Sequence, residues 1–272
     1  MADNSSDRIV IDIAVKSPDS RDCAFKIYSD PAVESDQRIR ESIEGGALYE
    51  SEISALFASV LREGDTVLDV GANVGWFTLL SAAMVGPSGR VIALEPAPGN
   101  ILKLRDNVSL NKLTNVDIRE TAVSDSMDDS ILYLNPHGNG GHALWDMQEG
   151  KAIPVTTMTL DSLMLNKVRL VKIDTEGHEV RVLAGAHKLL SEVRPAYVVA
   201  ELHEPGLHAF GDSQASLRKM MTAHGYDTYL FLRGFPIPVF LPPDTAVKTN
   251  YTQNFLFTTP TMLAELCPEV IL

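Results

Sequence analysis

Cysteine is almost missing from this sequence: Cys23 and Cys267, near opposite ends, are the two in 272 residues. A disulfide framework and a multi-cysteine zinc site are therefore excluded, and a reducing cytoplasm is the expected compartment. Long apolar runs are missing too. The nearest, Trp76 to Val85, is interrupted by Thr78 and Ser81 and stops at Gly86-Pro87. That is short of the ~20 residues a membrane span needs. The opening MADNSSDRIV is polar and acidic, unlike the basic and then apolar start of a secretory leader. Positive charge is in deficit, with 23 Lys and Arg against 36 Asp and Glu, a formal net charge of −13. Nucleic acid is bound by Lys and Arg displacing counterions from phosphate, so neither nucleic acid nor membrane is an expected partner. An acidic surface is first of all a soluble one.

What remains is globular. Apolar residues make up 45% of the chain, which excludes disorder as the main state, and a chain this long buries roughly 70–75% of its unfolded surface. Residues 9–15 and 25–28 read as strands, followed by a polar stretch. Ile53, Leu56, Phe57 and Val60 lie at i, i+3, i+4 and i+7, the stripe of an amphipathic helix over 50–61. From Asp65 onward, strand-length apolar runs alternate with helical patterns. Strands are expected at 66–70, 90–94, 116–119, 131–134, 155–160, 169–173 and 196–201, and helices at 76–85, 101–110, 179–190 and 213–224. Such alternation predicts right-handed crossovers and a parallel sheet covered on both faces. The end breaks the rule. Runs 226–232 and 254–258 have no helix between them, only the proline-rich loop 233–253. They should pair antiparallel at a sheet edge.

The first strand and helix of this alternation flank Asp69-Val70-Gly71-Ala72-Asn73-Val74-Gly75. Gly71 and Gly75 allow close approach or positive φ, and Asn73 tolerates a left-handed backbone. The amides opening the helix point at whatever lies beyond the strand. The spacing is not the G-x-G-x-x-G of dinucleotide sites, and Asp69 would repel a pyrophosphate. It favours a cation such as the amino group or sulfonium of S-adenosylmethionine. Twenty residues past Gly75, Glu95 closes the second strand, where an acid can accept both ribose hydroxyls of a nucleoside. Ala122 and Val123, after a third strand, reach the same crevice and could meet an adenine ring. Alone, each feature also reads as an ordinary turn or strand end.

Together, GDTVLDVGANVGWF, LEP at 94–96, AVSD at 122–125, LDSL at 160–163 and KIDTEGHE at 172–179 resemble the FkbM-type methyltransferases. The GALYESE stretch at 46–52 looks like that family's opening helix. The resemblance implies S-adenosylmethionine-dependent transfer of a methyl group to a hydroxyl of a sugar, macrolide or other secondary metabolite. The implied fold is α/β, a Rossmann-like doubly wound seven-stranded sheet with an antiparallel last strand. An N-terminal β/α cap (1–62) would precede the methyltransferase domain (63–260) and a short tail (261–272). Cofactor contacts are expected from Glu50, Asp69, Gly71, Asn73, Gly75, Trp76, Phe77, Glu95, Pro96, Asn100, Ala122, Val123 and Asp174.

An acceptor hydroxyl must be aligned and must lose its proton, tasks for groups at the carboxyl ends of the strands. Lys172, Asp174 and Glu176 close one central strand, with Lys172 and Asp174 on one face, and Glu179 sits where a helix dipole favours an acid. Glu201 and His203 share a face if the next strand runs that far. His142 and Trp145 occupy a glycine-rich loop where the family often carries glycine and serine. The expected catalytic residues are Asp174, Glu176, His203, His142 and Lys172, with His203 and His142 as the histidine bases. Substrate contacts are expected from His142, Trp145, Glu176, His178, Glu201 and His203. The proline-rich loop and the first 45 residues are expected to help shape the acceptor pocket.

Alternatives stay open. Asp174 and Glu201, with Glu176 and His203, could hold a divalent metal for a vicinal diol, although the FkbM-type motifs imply none. A nicotinamide-dependent oxidoreductase conflicts with the absent dinucleotide fingerprint. A non-catalytic binding module has no need of so many charges at strand ends. The expected partner is a small-molecule hydroxyl acceptor, and the chain a monomer or homodimer.

Overall fold

The structure, a computed structural model, describes residues 8–17, 21–31, 33–148, 150–232, 237–248 and 253–266. An antiparallel hairpin opens it, β1 (Ile9–Lys16) and β2 (Asp22–Ser29). Helices α1 (Glu34–Glu44) and α2 (Ser51–Val60) follow. Next come β3 (Thr66–Val70), α3 (Trp76–Val85), β4 (Arg90–Leu94), α4 (Pro98–Leu110) and β5 (Val116–Arg119). A separate group, β6 (Ala122–Val123), β7 (Asp129–Leu134) and β8 (Lys151–Met158), precedes β9 (Leu170–Ile173) and α5 (Glu179–Ala184). The remainder is β10 (Tyr197–Leu202), α6 (Glu204–Ala209), α7 (Gln214–Ala223), β11 (Asp227–Leu230), β12 (Val239–Phe240), β13 (Gln253–Thr258) and α8 (Pro260–Leu266).

The central sheet runs β12-β11-β13-β10-β9-β3-β4-β5. Strands β10, β9, β3, β4 and β5 are parallel, and β13 is antiparallel to both β10 and β11. The antiparallel late pair is thus where the sequence pattern puts it, with two-residue β12 added outside seven longer strands. Chain order reverses at β3, so a crevice opens beyond the carboxyl ends of β3 and β9. Strands β3, β4 and β9 are buried almost throughout because helices cover both faces. Phe57, Trp76, Phe77 and Tyr197 belong to the core on one face, and Leu183, Leu217, Met221 and Phe255 to that on the other. Helix α3 is apolar nearly all round because β2 covers its outer side, where Phe25 meets Trp76 edge-on at 5.4 Å.

Several sequence expectations need correction. Runs 131–134 and 155–160 do not enter the parallel sheet. Strands β7 and β8 pair antiparallel with each other, and β6 joins β8, in a small separate sheet. Their alternating burial fits a sheet wet on one side, unlike the continuous burial of β9. The helix expected over 179–190 stops at Ala184, because Gly185 presses against the backbone carbonyl of Ser124 with no room for a side chain. A π-helical turn, Leu189–Val193, follows. The polar stretch after 28 contains α1. Buried Arg218 of α7 donates to the carbonyls of Leu241, Pro242 and Thr245, and Gln214 exchanges hydrogen bonds with the Val247 backbone. These bonds hold the described part of the proline-rich loop, 237–248, against α7.

Candidate active site

Strands β3 and β9 pair Val70 with Ile173, and Asp174 N–H donates to the Val70 carbonyl. The glycine-rich turn and the KIDTEGHE segment therefore leave the sheet side by side. A Cβ on Gly71 would collide with the Asp174 carbonyl, and φ of +82° there also demands glycine. A cavity of about 310 Å³ opens above this junction. Of the expected cofactor residues, Glu50, Gly71, Asn73, Glu95, Pro96, Asn100, Ala122, Val123 and Asp174 line it.

Glu95 is buried at the end of β4 and braces the turn. Its Oε2 accepts from Asn73 N–H at 2.8 Å and its Oε1 from Ala97 N–H at 2.9 Å. Burial pushes the carboxyl up to about 7. Oε1 also accepts from Asn100 Nδ2 at 3.5 Å, whereas Oε2 keeps a further lone pair with which to accept a hydroxyl. Two buried polar atoms on the wall have no partner, Glu50 Oε2 and Asn100 Oδ1. Unmatched acceptors of this kind, one near the charged cluster and one beside Glu95, suit a ligand bearing an ammonium and a nucleoside.

Four expected cofactor residues lie elsewhere. Asp69 is buried below the floor and accepts from Thr78 Oγ1 at 2.6 Å. Gly75 begins α3 against Leu104. Trp76 packs on Phe25 and Tyr49 and donates to Ser54 Oγ, and Phe77 packs on Phe57. Both rings are core, turned away by the first turn of α3.

Lys172 is fully buried beneath the cavity, its Nζ 2.7 Å from Asp174 Oδ2 and 4.6 Å from the Phe77 ring centre. Burial alone would lower this ammonium, but Asp174, Glu50, Glu201 and Asp69 outweigh it and hold it above its ordinary value. Asp174 behaves conversely. Its burial is overcome by Lys172 and by a hydrogen bond from Glu201, so it stays ionised. Glu201, at the end of β10, is driven well up by burial and by Asp174 and keeps its proton. Glu176 has positive φ, lines the cavity, and is raised to about 8 by burial, then Asp174 and Glu179, against Lys172 and the Gly141 N–H. Glu179 lies below, its Oε1 accepting from Thr175 N–H, Thr175 Oγ1 and Gly177 N–H. Among the described residues no three His, Cys, Asp or Glu side chains are grouped to hold a metal ion.

The two histidine candidates are not free bases. His142 lines the cavity, but its Nδ1 accepts from Asn135 N–H at 2.9 Å. His203 lies past the end of β10, not on it, and caps α6, with Nδ1 accepting from Gly206 N–H at 3.1 Å. Burial lowers both rings. Each is neutral with its proton on Nε2, a donor toward its surroundings. Trp145 lies outside the cavity lining, stacked on His203 at 6.0 Å and donating to the Glu176 carbonyl. His178 is also outside, 2.9 Å from Ser124 Oγ and edge-on to Phe210.

Sequence reasoning missed part of the wall. Tyr49 stands beside Glu50, and Arg38 comes from the unread α1. Asn139 ties the glycine-rich loop to the cofactor side. Its carbonyl accepts from Asn100 Nδ2 at 2.9 Å, and its Nδ2 lies 3.4 Å from both Asn73 Oδ1 and Asp36 Oδ1. An asparagine in a glycine-rich loop carries no signal for that role. No described residue of 237–248 lines the cavity, and the rest of the expected loop, 233–236 and 249–252, lies outside the described residues. Helix α1 lines it through Arg38.

The family profile described as Methyltransferase FkbM domain matches residues 69–228. The hexuronic acid methyltransferase AglP of Haloferax volcanii is 30% identical over 57% of this chain and 62% of its own length. The 31-O-demethyl-FK506 methyltransferase FkbM of Streptomyces tacrolimicus is 31% identical over 61% of this chain and 74% of its own. A crystal structure of methyltransferase FkbM from Methylobacillus flagellatus superposes with a TM-score of 0.46 at 15% identity, over 75% of this chain and 50% of the other. With the profile spanning the glycine-rich turn, Glu95 and the KIDTEGHE segment, the chain belongs to the FkbM methyltransferase domain family.

Proposed function

We propose that the chain is an S-adenosylmethionine-dependent O-methyltransferase acting on a hydroxyl of a small molecule such as a sugar or polyketide. The observation that carries this reading is the junction of β3 and β9, which sets the glycine-rich turn and the acidic cluster into one cavity. When bound, the cofactor supplies a methyl group on a cationic sulfur, open to in-line displacement by an oxygen. Glu95 and Asn100 would hold its ribose, Ala122 and Val123 its base, and Glu50 and Asp174 its cationic end. The acceptor is then placed between the acidic cluster and the glycine-rich loop. His142, a donor through Nε2, orients the acceptor oxygen, and Glu176 takes its proton. Glu176 suits this task because it lines the cavity and both histidines already use Nδ1. A general base of this kind contributes about 10²–10⁴-fold.

The −13 charge supports a small-molecule acceptor over nucleic acid, for a monomer or homodimer, and scarce cysteine supports a cytoplasmic location. No helix among the described residues is long and apolar enough to cross a membrane. Titration calorimetry with S-adenosylhomocysteine tests the cofactor, with micromolar binding expected and weakening on Glu95→Ala. Absence of binding sinks the proposal. Methyl transfer to a library of hydroxylated metabolites, with the product position read by NMR, then tests the acceptor.

A further inference from the structure

The acidic cluster is out of balance. Glu50, Asp69, Asp174, Glu176 and Glu201 converge on one ammonium, Lys172, which is engaged with Asp174, and a guanidinium, that of Arg38 from α1, also lines the cavity. We infer that Glu176 holds a proton while no sulfonium occupies the cavity and releases it when a sulfonium-bearing cofactor binds, so that the base is created by the cofactor's own charge. The inference rests on the methyltransferase reading above.

The groups facing Glu176 come from every surrounding element. Asp174 and Lys172 belong to the end of β9, Glu179 to α5 and Glu201 to the end of β10. His203 Nε2, at the start of α6, is 4.0 Å from Glu176 Oε2. The glycine-rich loop offers Gly141 N–H and His142, and Glu50 stands at the start of α2. Lys172 and the Gly141 N–H favour the carboxylate, and the acids oppose it. His203 is neutral and gives little help. Carboxyls crowded on a half-buried wall do not readily all ionise together. Glu201 secures its own proton by donating it to Asp174. Glu50 and Glu176 are the members left on the wall, and of the two it is Glu176 that meets the glycine-rich loop at Gly141, with a carboxyl poised at about 8. One added positive charge in the same cavity shifts that balance toward the carboxylate.

Charge then balances through the reaction. The acceptor hydroxyl gives its proton to the Glu176 carboxylate as the oxygen–carbon bond forms. The carbon–sulfur bond breaks with its electron pair on sulfur, which becomes neutral. One positive and one negative charge vanish together, and Glu176 is left protonated, as before cofactor binding. The buried site never carries an extra charge.

Calorimetry on the full chain at neutral pH, in two buffers of different ionisation enthalpy, counts the protons. S-adenosylmethionine should release close to about one proton, and neutral-sulfur S-adenosylhomocysteine almost none. Glu176→Gln should abolish the difference while still binding S-adenosylhomocysteine. Equal counts for the two ligands, or a difference that survives in Glu176→Gln, would overturn the inference. Should Glu176→Gln not fold, the wild-type affinity ratio decides. Preference for S-adenosylmethionine should rise about tenfold per pH unit below the Glu176 value and level off above it, and a flat ratio is fatal. If neither ligand binds, it is the methyltransferase reading that fails, a different result from equal binding with equal proton counts.

Discussion

Gly71 and Asp174 stand at the adjacent ends of two parallel strands, and the Asp174 carbonyl fills the space a side chain on Gly71 would need. The distance between the glycine-rich turn and the acidic cluster is therefore set by backbone contact. Gly71→Ala should force β3 and β9 apart while adding a Cβ at positive φ. A loss of about 2–4 kcal/mol is expected, read from the urea midpoint, together with loss of S-adenosylhomocysteine binding. A variant of parental stability would show that the two strand ends can separate freely.

His142 and His203 should both carry their proton on Nε2. Their Nδ1 atoms accept from backbone N–H groups, and burial lowers both rings. Long-range nitrogen–proton NMR spectra at neutral pH should show this tautomer for both, with titration below ~6.5. An Nδ1–H form, or an imidazolium at neutral pH, would return these rings to the list of bases. With an acceptor in hand, Glu176→Gln should lower kcat by roughly 100-fold or more, and His203→Asn by much less.

His178 should make the fold acid-sensitive. Burial pushes its ring down to about 4, so it enters the folded state neutral. The unfolded chain takes up a proton below ~6.5, and stability is lost as pH falls from there toward the folded value, by up to about 3 kcal/mol. Glu95 and Glu179, each raised to about 7, act in the opposite sense, because the folded chain then binds the extra protons. Comparison with His178→Asn cancels their contribution. The variant should be less stable at neutral pH, and the gap should close on acidification. A gap independent of pH would contradict a neutral, buried ring.

Arg218 anchors a loop segment, 237–248, that does not line the cavity. Arg218→Met leaves three carbonyls without their charged donor and should cost at least about 2 kcal/mol. Limited proteolysis should then cut first near Lys248, while S-adenosylhomocysteine affinity stays at the parental value. A fall in affinity would mean that the loop reaches the cofactor.

The parallel sheet was legible because continuous apolar runs such as 91–94 have few other homes, and the 71–75 turn because small residues at that spacing permit few alternatives. Individual roles were less so. Trp76 and Phe77 follow the turn directly, yet α3 is apolar all round and draws both rings into the core, a result fixed by β2 lying across it. His203 follows Glu201 by two residues, but β10 ends at Leu202 and the ring caps the next helix. Gly185 ends α5 because of a contact with Ser124, 61 residues earlier by their numbers. The first and last of these misses concern contacts distant in sequence that local pattern does not encode, and the second concerns where a strand stops and a local cap begins.

The chain has two tryptophans, and they are placed very differently. Trp76 lies sealed in the core under the glycine-rich turn, whereas Trp145 is stacked on His203 and bonded to the Glu176 carbonyl. Intrinsic fluorescence therefore divides into a slow signal that changes with unfolding and a local one that responds to the acidic cluster. With Trp76→Phe the second signal stands alone, and protonation of the His203 ring should quench it. The molecule carries a native optical probe one peptide unit from its proposed base.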